Sequence, residues 1–171
     1  TATSGQASGE LTGMKIAYVE IDTLLAQYNF CIDLNEGMVK KSENVRLTLN
    51  QKARELDKQK QDFQTKYQNN AYLSPERAQQ EYNRIAKLEQ DLQTLSNKLQ
   101  SELMSENEKN SLQLRDSINA FLKEYNKTKG YSMIISNTGF DNLLYADSIY
   151  NITKEIVEGL NARYSSPAPK K

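Results

Sequence analysis

Apolar residues in the middle of this chain recur at two helical rhythms that mirror each other. Leu49, Leu56 and Phe63 return every seven residues, with Val45, Ala53 and Tyr67 beside them. Further on, Ile85, Leu88, Leu92, Leu95 and Leu99 alternate by threes and fours. Both are coiled-coil spacings. Folding the chain back near residue 72 sets Leu56 against Leu88, Leu49 against Leu95 and Val45 against Leu99, so one turn brings both series into register. The pattern predicts an antiparallel coiled-coil hairpin, about 50 Å long at 1.5 Å per residue.

Residue types agree with the rhythm. From Met38 to Lys129 there is no glycine and only one proline, Pro75. Leu, Gln, Glu, Lys and Arg dominate, and they lose little rotamer freedom in a helix. Proline fits only the first turn of a helix. Ser74-Pro75-Glu76 therefore reads as N-cap, first helical residue and early acid, with the reversal spread over residues 69–75. The seam is incomplete: Lys52, Gln59 and Lys66 on the first leg, and Glu81 and Glu102 on the second, stand where leucine is expected. Long polar side chains can lay their stems along such a groove. A half-polar seam would also leave the hairpin compliant.

The flanks read differently. Residues 1–14 are small and polar and should form a flexible leader. Lys15–Asp22 is β-branched and partly alternating (Ile16, Tyr18, Val19, Ile21), a strand by pattern. Asp22-Thr23 offers a cap for a short helix, Leu24 to Tyr28. Asp33 and Glu36 have capping-box spacing, which starts the first hairpin helix near Leu34. Beyond residue 110 the second leg has no partner, yet Leu114, Ile118, Phe121, Leu122 and Tyr125 continue an apolar stripe. That stripe should pack on the strand material, and Gly130 should stop the helix.

Tyr131–Ser136 reads as a second strand, Asn137-Thr138-Gly139 as a turn and Leu143–Ala146 as a third strand. Asn151 caps a last helix with Ile152, Ile156, Val157 and Leu160 on one face. Residues 165–171 form a loose tail. The expected division is thus a hairpin over 34–129 and a β-containing body from 15–33 and 130–164. The class is α+β, mainly helical. A body of roughly 55 residues has little core of its own, which favours a homo-oligomer with a shared β centre. Ile16, Tyr18, Val19, Ile21, Met133, Ile134, Ile135, Leu144 and Tyr145 are the candidate residues of that shared body.

Composition narrows the function. The 171 residues hold 22 basic and 22 acidic side chains, no histidine and no tryptophan. Zero net charge argues against nucleic acid as a main partner, because that binding rests on neutralising phosphates. Without histidine there is no Ser-His or Cys-His pair, and no Walker-type loop or metal-ligand cluster is visible. Asp22, Asp33, Asp141 and Asp147 stand at turns, where capping explains them. Asn151-Ile-Thr153 fits a glycosylation sequon, but a helix cap accounts for it better. We expect no enzyme, no cofactor and no metal. The lone Cys31 has no internal disulfide partner and reads as a buried thiol. No stretch approaches the ~20 apolar residues of a membrane span. A chain beginning at Thr1 would fit removal of a secretion signal or a lipoprotein segment.

The opening strand Lys15-Ile-Ala-Tyr-Val-Glu-Ile-Asp22, the long hairpin, and the closing run Leu143-Leu-Tyr-Ala-Asp147 before Asn151-Ile-Thr-Lys-Glu-Ile-Val157 resemble the Skp/OmpH family of periplasmic chaperones. The resemblance covers nearly everything from residue 15 to 164. It implies a homotrimer with a small β body, three helical tentacles around a cavity, and membrane proximity without a transmembrane segment. It also implies an ATP-independent periplasmic holdase for unfolded outer-membrane proteins. The chain departs from the family's strongly basic character, so no lipid-binding residues are carried over.

Client contact is expected near the hairpin tip, at Phe63, Tyr67, Tyr72, Leu73 and Tyr82. Aromatics with a polar edge suit adaptable contact with unfolded chains. The alternative function is a non-enzymatic coiled-coil adaptor docking one folded envelope partner.

Overall fold

The computed structural model describes residues 13–139 and 142–165. The chain runs β1 (Ile16–Glu20), α1 (Ile21–Gln27), α2 (Asn29–Gln68), α3 (Pro75–Lys129), β2 (Met133–Asn137), a 3-10 turn (Ser148–Tyr150) and α4 (Thr153–Ser165). It is an α+β fold, mainly helical. Two compact units divide it: Leu34–Leu112, and the described parts of Thr1–Asp33 with Gln113–Lys171.

The Leu34–Leu112 unit is the helical hairpin. The Phe63 and Tyr82 rings meet across it at 6.2 Å. Leu56, Leu88, Leu92 and Leu95 line one cleft, as the shared register requires. Lys60 reaches Glu89 at 2.8 Å and Lys41 reaches Glu106 at 2.7 Å, so ion pairs bind the legs along the rim. Few seam residues are fully buried: Leu56 on the first leg, and Ala78, Ile85 and Asn110 on the second. Two helices alone cannot cover each other on all sides.

The reversal forms as expected. Ala71 N donates to Lys66 O and Asn69 N to Thr65 O, which satisfies the last turns of α2. Asn70 takes φ 53°, a left-handed conformation that asparagine tolerates. Pro75 is the first residue of α3, and Ser74 Oγ accepts from Arg77 N at 3.2 Å.

The other unit is built around β1. β2 pairs with it in parallel, with Ile16 opposite Met133 and Glu20 opposite Asn137. Parallel neighbours need a long crossover, and here everything between β1 and β2 serves as one. On its other edge β1 meets the start of α4: Ile152 N donates to Tyr18 O, and Glu20 N donates to Thr153 Oγ1. The core joins Ala17 and Val19 of β1, Leu24 of α1, Tyr28, Cys31 of α2, and Ile152, Ile156, Val157 and Leu160. The α3 stripe (Leu114, Ile118, Phe121, Leu122, Tyr125) packs against that core.

Several boundaries differ from the pattern reading. Leu143–Ala146 is not a strand, so Leu144 and Tyr145 belong to no sheet among the described residues. The contact with β1 comes instead from Asn151, bridged to Tyr18. The β1 edge is closed to this segment, because Asn151–Thr153 already occupies that side of β1. The capping box is also absent. α2 starts at Asn29, five residues before Leu34, because Asn161 Oδ1 accepts from Asn29 N and supplies the cap from a distant helix. Asp33 lies inside α2 and accepts from the Tyr164 hydroxyl at 2.6 Å. α1 starts at Ile21 with no side-chain cap, so Asp22-Thr23 sits within it. β2 is displaced two residues from Tyr131 because the Asn126 side chain pins Tyr131 N and O. Asp141, the leader to Thr12 and the tail from residue 166 lie outside the described residues.

Candidate interaction surfaces

At the hairpin tip, three of the five residues singled out from the sequence gather on a fourth, Phe63. Its ring centre lies 5.9 Å from Tyr67, 5.6 Å from Tyr72 and 6.2 Å from Tyr82. The α2 spacing of four residues stacks Phe63 on Tyr67, and the reversal brings Tyr72 back over them. Leu73 stays outside the rings and is 95% exposed. It shares a cleft with Tyr67, Tyr72 and Pro75. Partial burial, then repulsion from Glu81, push the Tyr72 hydroxyl pKa up. Hydrogen bonds from Arg84 hold the Glu81 carboxyl below its usual range, and Lys66 across the seam adds to this. The tip thus presents hydroxyls and aromatic faces, with Glu81 already paired to Arg84.

In the other unit the nine candidate body residues separate into groups. Tyr18 and Val19 are buried, and Ile21 and Ile134 pack against the core. Ile16 and Ile135 are half-buried. Met133 is exposed, and Leu144 and Tyr145 are 87% and 85% exposed. Ile149 and Tyr150, which the pattern reading passed over, are also exposed. A helical or strand period could not flag them, because they lie in a 3-10 turn that has neither. Among the described residues no strand pairs with the far edge of β2.

At the end of α3, Lys129 pairs with Glu155 of α4 at 2.8 Å. The hydrogen bond from Lys129 lowers the Glu155 carboxyl pKa, and the Tyr125 hydroxyl assists. Burial, reinforced by the Glu155 carboxylate, raises the Tyr125 pKa. Lys15 Nζ donates to Lys129 O and lies 4.6 Å from the centre of the Tyr131 ring, closing the C-terminus of α3 with a cation. This cluster reads as a fastening of α3 to β1 and α4.

Midway along the hairpin, Lys52, Glu55, Leu56, Gln59, Leu88, Asp91, Leu92 and Leu95 line a cleft of about 140 Å³. Gln59 Oε1 is buried there and finds no donor in the protein. Two of the polar seam positions, Lys52 and Gln59, therefore leave volume unfilled rather than covering it with their stems.

The family profile described as Outer membrane protein (OmpH-like) matches residues 15–160. The chain belongs to the OmpH-like family. A solved structure of an outer-membrane chaperone candidate (OmpH-like) from Caulobacter crescentus superimposes with a TM-score of 0.78 at 12% identity, covering 99% of this chain and 96% of that one. Among curated proteins no sequence matches. At that identity the superposition speaks for the fold, and the family profile carries the membership.

Among the described residues no group of His, Cys, Asp or Glu side chains is arranged to hold a metal. No described helix is long and apolar enough to cross a membrane. Cys31 is buried in the core. The Asn151 side chain accepts from Thr153 N and from Thr153 Oγ1, so the sequon residues are engaged with each other at the start of α4.

Proposed function

We propose that this OmpH-like protein is an ATP-independent periplasmic holdase for unfolded outer-membrane proteins. Membership of the family across residues 15–160 carries the reading, and the Caulobacter structure of the same fold is described as an outer-membrane chaperone candidate. The tip supports it: Tyr67, Tyr72, Leu73 and Tyr82 give apolar surface with polar edges and no shaped polar pocket. Such contacts are individually weak and sequence-tolerant, so affinity must come from several at once. Release then follows transfer to a better acceptor.

Several hairpins would come together through the body. The unpaired β2 edge and the exposed Met133, Leu144, Tyr145 and Ile149 are what a lone copy would leave unsatisfied. A homotrimer sharing a β centre, with unfolded clients enclosed between the hairpins, is the assembly we favour. The deciding experiment mixes the protein with several unrelated unfolded β-barrel proteins at near-stoichiometric amounts. A holdase suppresses aggregation of all of them. Protection of none, with tight binding of one folded partner, would establish the adaptor instead.

A further inference from the structure

Two clefts adjoin at the hairpin tip, of about 390 and 400 Å³. Tyr67, Pro75 and Ala78 line both and so form a shared wall. Phe63, Gln79 and Tyr82 complete the first cleft, and Asn70, Tyr72, Leu73 and Ser74 the second. The wall has little polar character beyond the Tyr67 hydroxyl: Pro75 has no N–H, and Ala78 is buried with only a methyl to offer. Each cleft presents aromatic faces to a guest side chain.

Spacing decides what can fill both at once. Clefts of this volume are about 7 Å wide, so a shared wall sets their centres about 7 Å apart. On an extended chain, side chains i and i+2 lie on one face ~6.6 Å apart. Neighbours i and i+1 point to opposite faces and cannot fill both. A helix sets i and i+4 ~6 Å apart along its axis, but a short unfolded segment does not hold a helix in water. Charge does not choose the segment, because three basic and three acidic side chains balance between residues 62 and 84. Strands of membrane β-barrels alternate apolar and polar residues, so an i, i+2 apolar pair recurs all along them. Resting on the holdase reading, we propose that the tip reads this alternation: its two clefts take apolar side chains i and i+2 of one extended client segment. The segment crosses Tyr67 with its intervening polar side chain turned to water. Clients are then chosen by pattern rather than by sequence.

The chain has no tryptophan, so tryptophan emission from an added peptide reports its binding to the full chain. Gly-Ser-Trp-Thr-Trp-Ser-Gly carries the i, i+2 spacing, and Gly-Ser-Trp-Trp-Thr-Ser-Gly has the same composition without it. The first should bind about tenfold more tightly, because its second ring is already held beside the second cleft. Tyr82 lines only the first cleft and Leu73 only the second, and both are exposed. Tyr82→Ser or Leu73→Ser should each bring the two peptides to equal affinity, since one working cleft cannot read a spacing. Equal affinity for the unaltered protein, no saturable binding of either peptide, or a preference that survives either substitution would overturn the proposal. Tighter binding of a helical peptide with tryptophans four residues apart would do the same. Aggregation assays separate this from the holdase reading. A spacing preference in a protein that protects no client sinks the holdase and keeps the paired clefts. Protection of every client without that preference keeps the holdase and removes the reading of alternation.

Discussion

The Phe121 ring of α3 lies directly on the bare Cα of Gly159 in α4. A Cβ at position 159 would run into the ring's far edge. Phe121 belongs to the stripe covering the core, and Gly159 precedes the fully buried Leu160. The glycine thus sets how closely α4 can approach α3. Alanine in place of a mid-helix glycine normally gains about 1 kcal/mol in helix propensity. Overpacking a closed contact costs about 1–3 kcal/mol, so the clash should win. Gly159→Ala is expected to lower unfolding free energy by about 1–2 kcal/mol in urea titration. Combined with Phe121→Leu, which frees the space, the alanine should cost much less than it does alone. Equal losses in both backgrounds would show that the close approach is not what position 159 protects.

A second relationship governs where α2 begins. Asn161 accepts from Asn29 N at 2.8 Å and donates to Gln27 O at 3.0 Å, so one side chain spans the break between α1 and α2 at Tyr28. Asn161→Ala removes both bonds, at about 1–2 kcal/mol together because the site is exposed and water can substitute. Hydrogen exchange should show the loss locally: the Asn29 amide should exchange faster, while Leu24 and Ile156 in the core change little. Unaltered exchange at Asn29 would mean that α2 caps itself without help from α4.

These two contacts explain what could be read from the sequence and what could not. The hairpin was legible because Leu56, Leu88 and Leu95 repeat locally and independently on each leg, and Pro75 marks the turn between them. The α3 stripe from Leu114 to Tyr125 was legible for the same reason. The start of α2 was not, since the Asp33–Glu36 spacing offered a local cap and the real one comes from residue 161. Nor was the fate of Leu143–Ala146, whose residues favour a strand but whose neighbouring edge is taken by Asn151. At the tip, the rings that cluster on Phe63 follow from the hairpin's register, whereas the Gln59 cleft does not. A missing side-chain volume leaves no periodic mark.

Electrostatics should tie α3 to α4 in a pH-dependent way. The Glu155 carboxyl lies below its ordinary value of 4.5, first because Lys129 hydrogen-bonds to it. A depressed carboxyl contributes stability that is present above the ordinary value and lost as pH falls through the folded one. Lys129, raised from 10.5 by the same pair, contributes below its ordinary value and loses the contribution as pH rises through its folded one. The pair therefore acts between those limits. Both side chains are more than two-fifths exposed, so solvent screens them and the effect is small. Glu155→Gln should lower the melting midpoint at pH 7 by no more than about 3 °C. It should also shrink the difference between pH 7 and pH 3. A variant with an unchanged acid limb would show that other carboxylates govern it.

The tip makes the sharpest functional prediction. Tyr67 stacks on Phe63 and Tyr72 packs tilted against it, and Tyr67 is exposed, so their rings either hold clients or merely close the turn. Changing both to serine removes two aromatic faces while keeping hydroxyls. Neither residue is in the core of the other unit, so light scattering should report an unchanged assembly. If the rings hold clients, the amount of protein needed to suppress aggregation should rise several-fold. A turn-closing role would instead appear as faster exchange of the Asn69–Ala71 amides with client protection intact. The two outcomes separate because exchange reads the turn and aggregation reads the client. Leu73→Ser provides the control within the same surface: it is outside the ring cluster, so it should weaken client holding without loosening the turn at all.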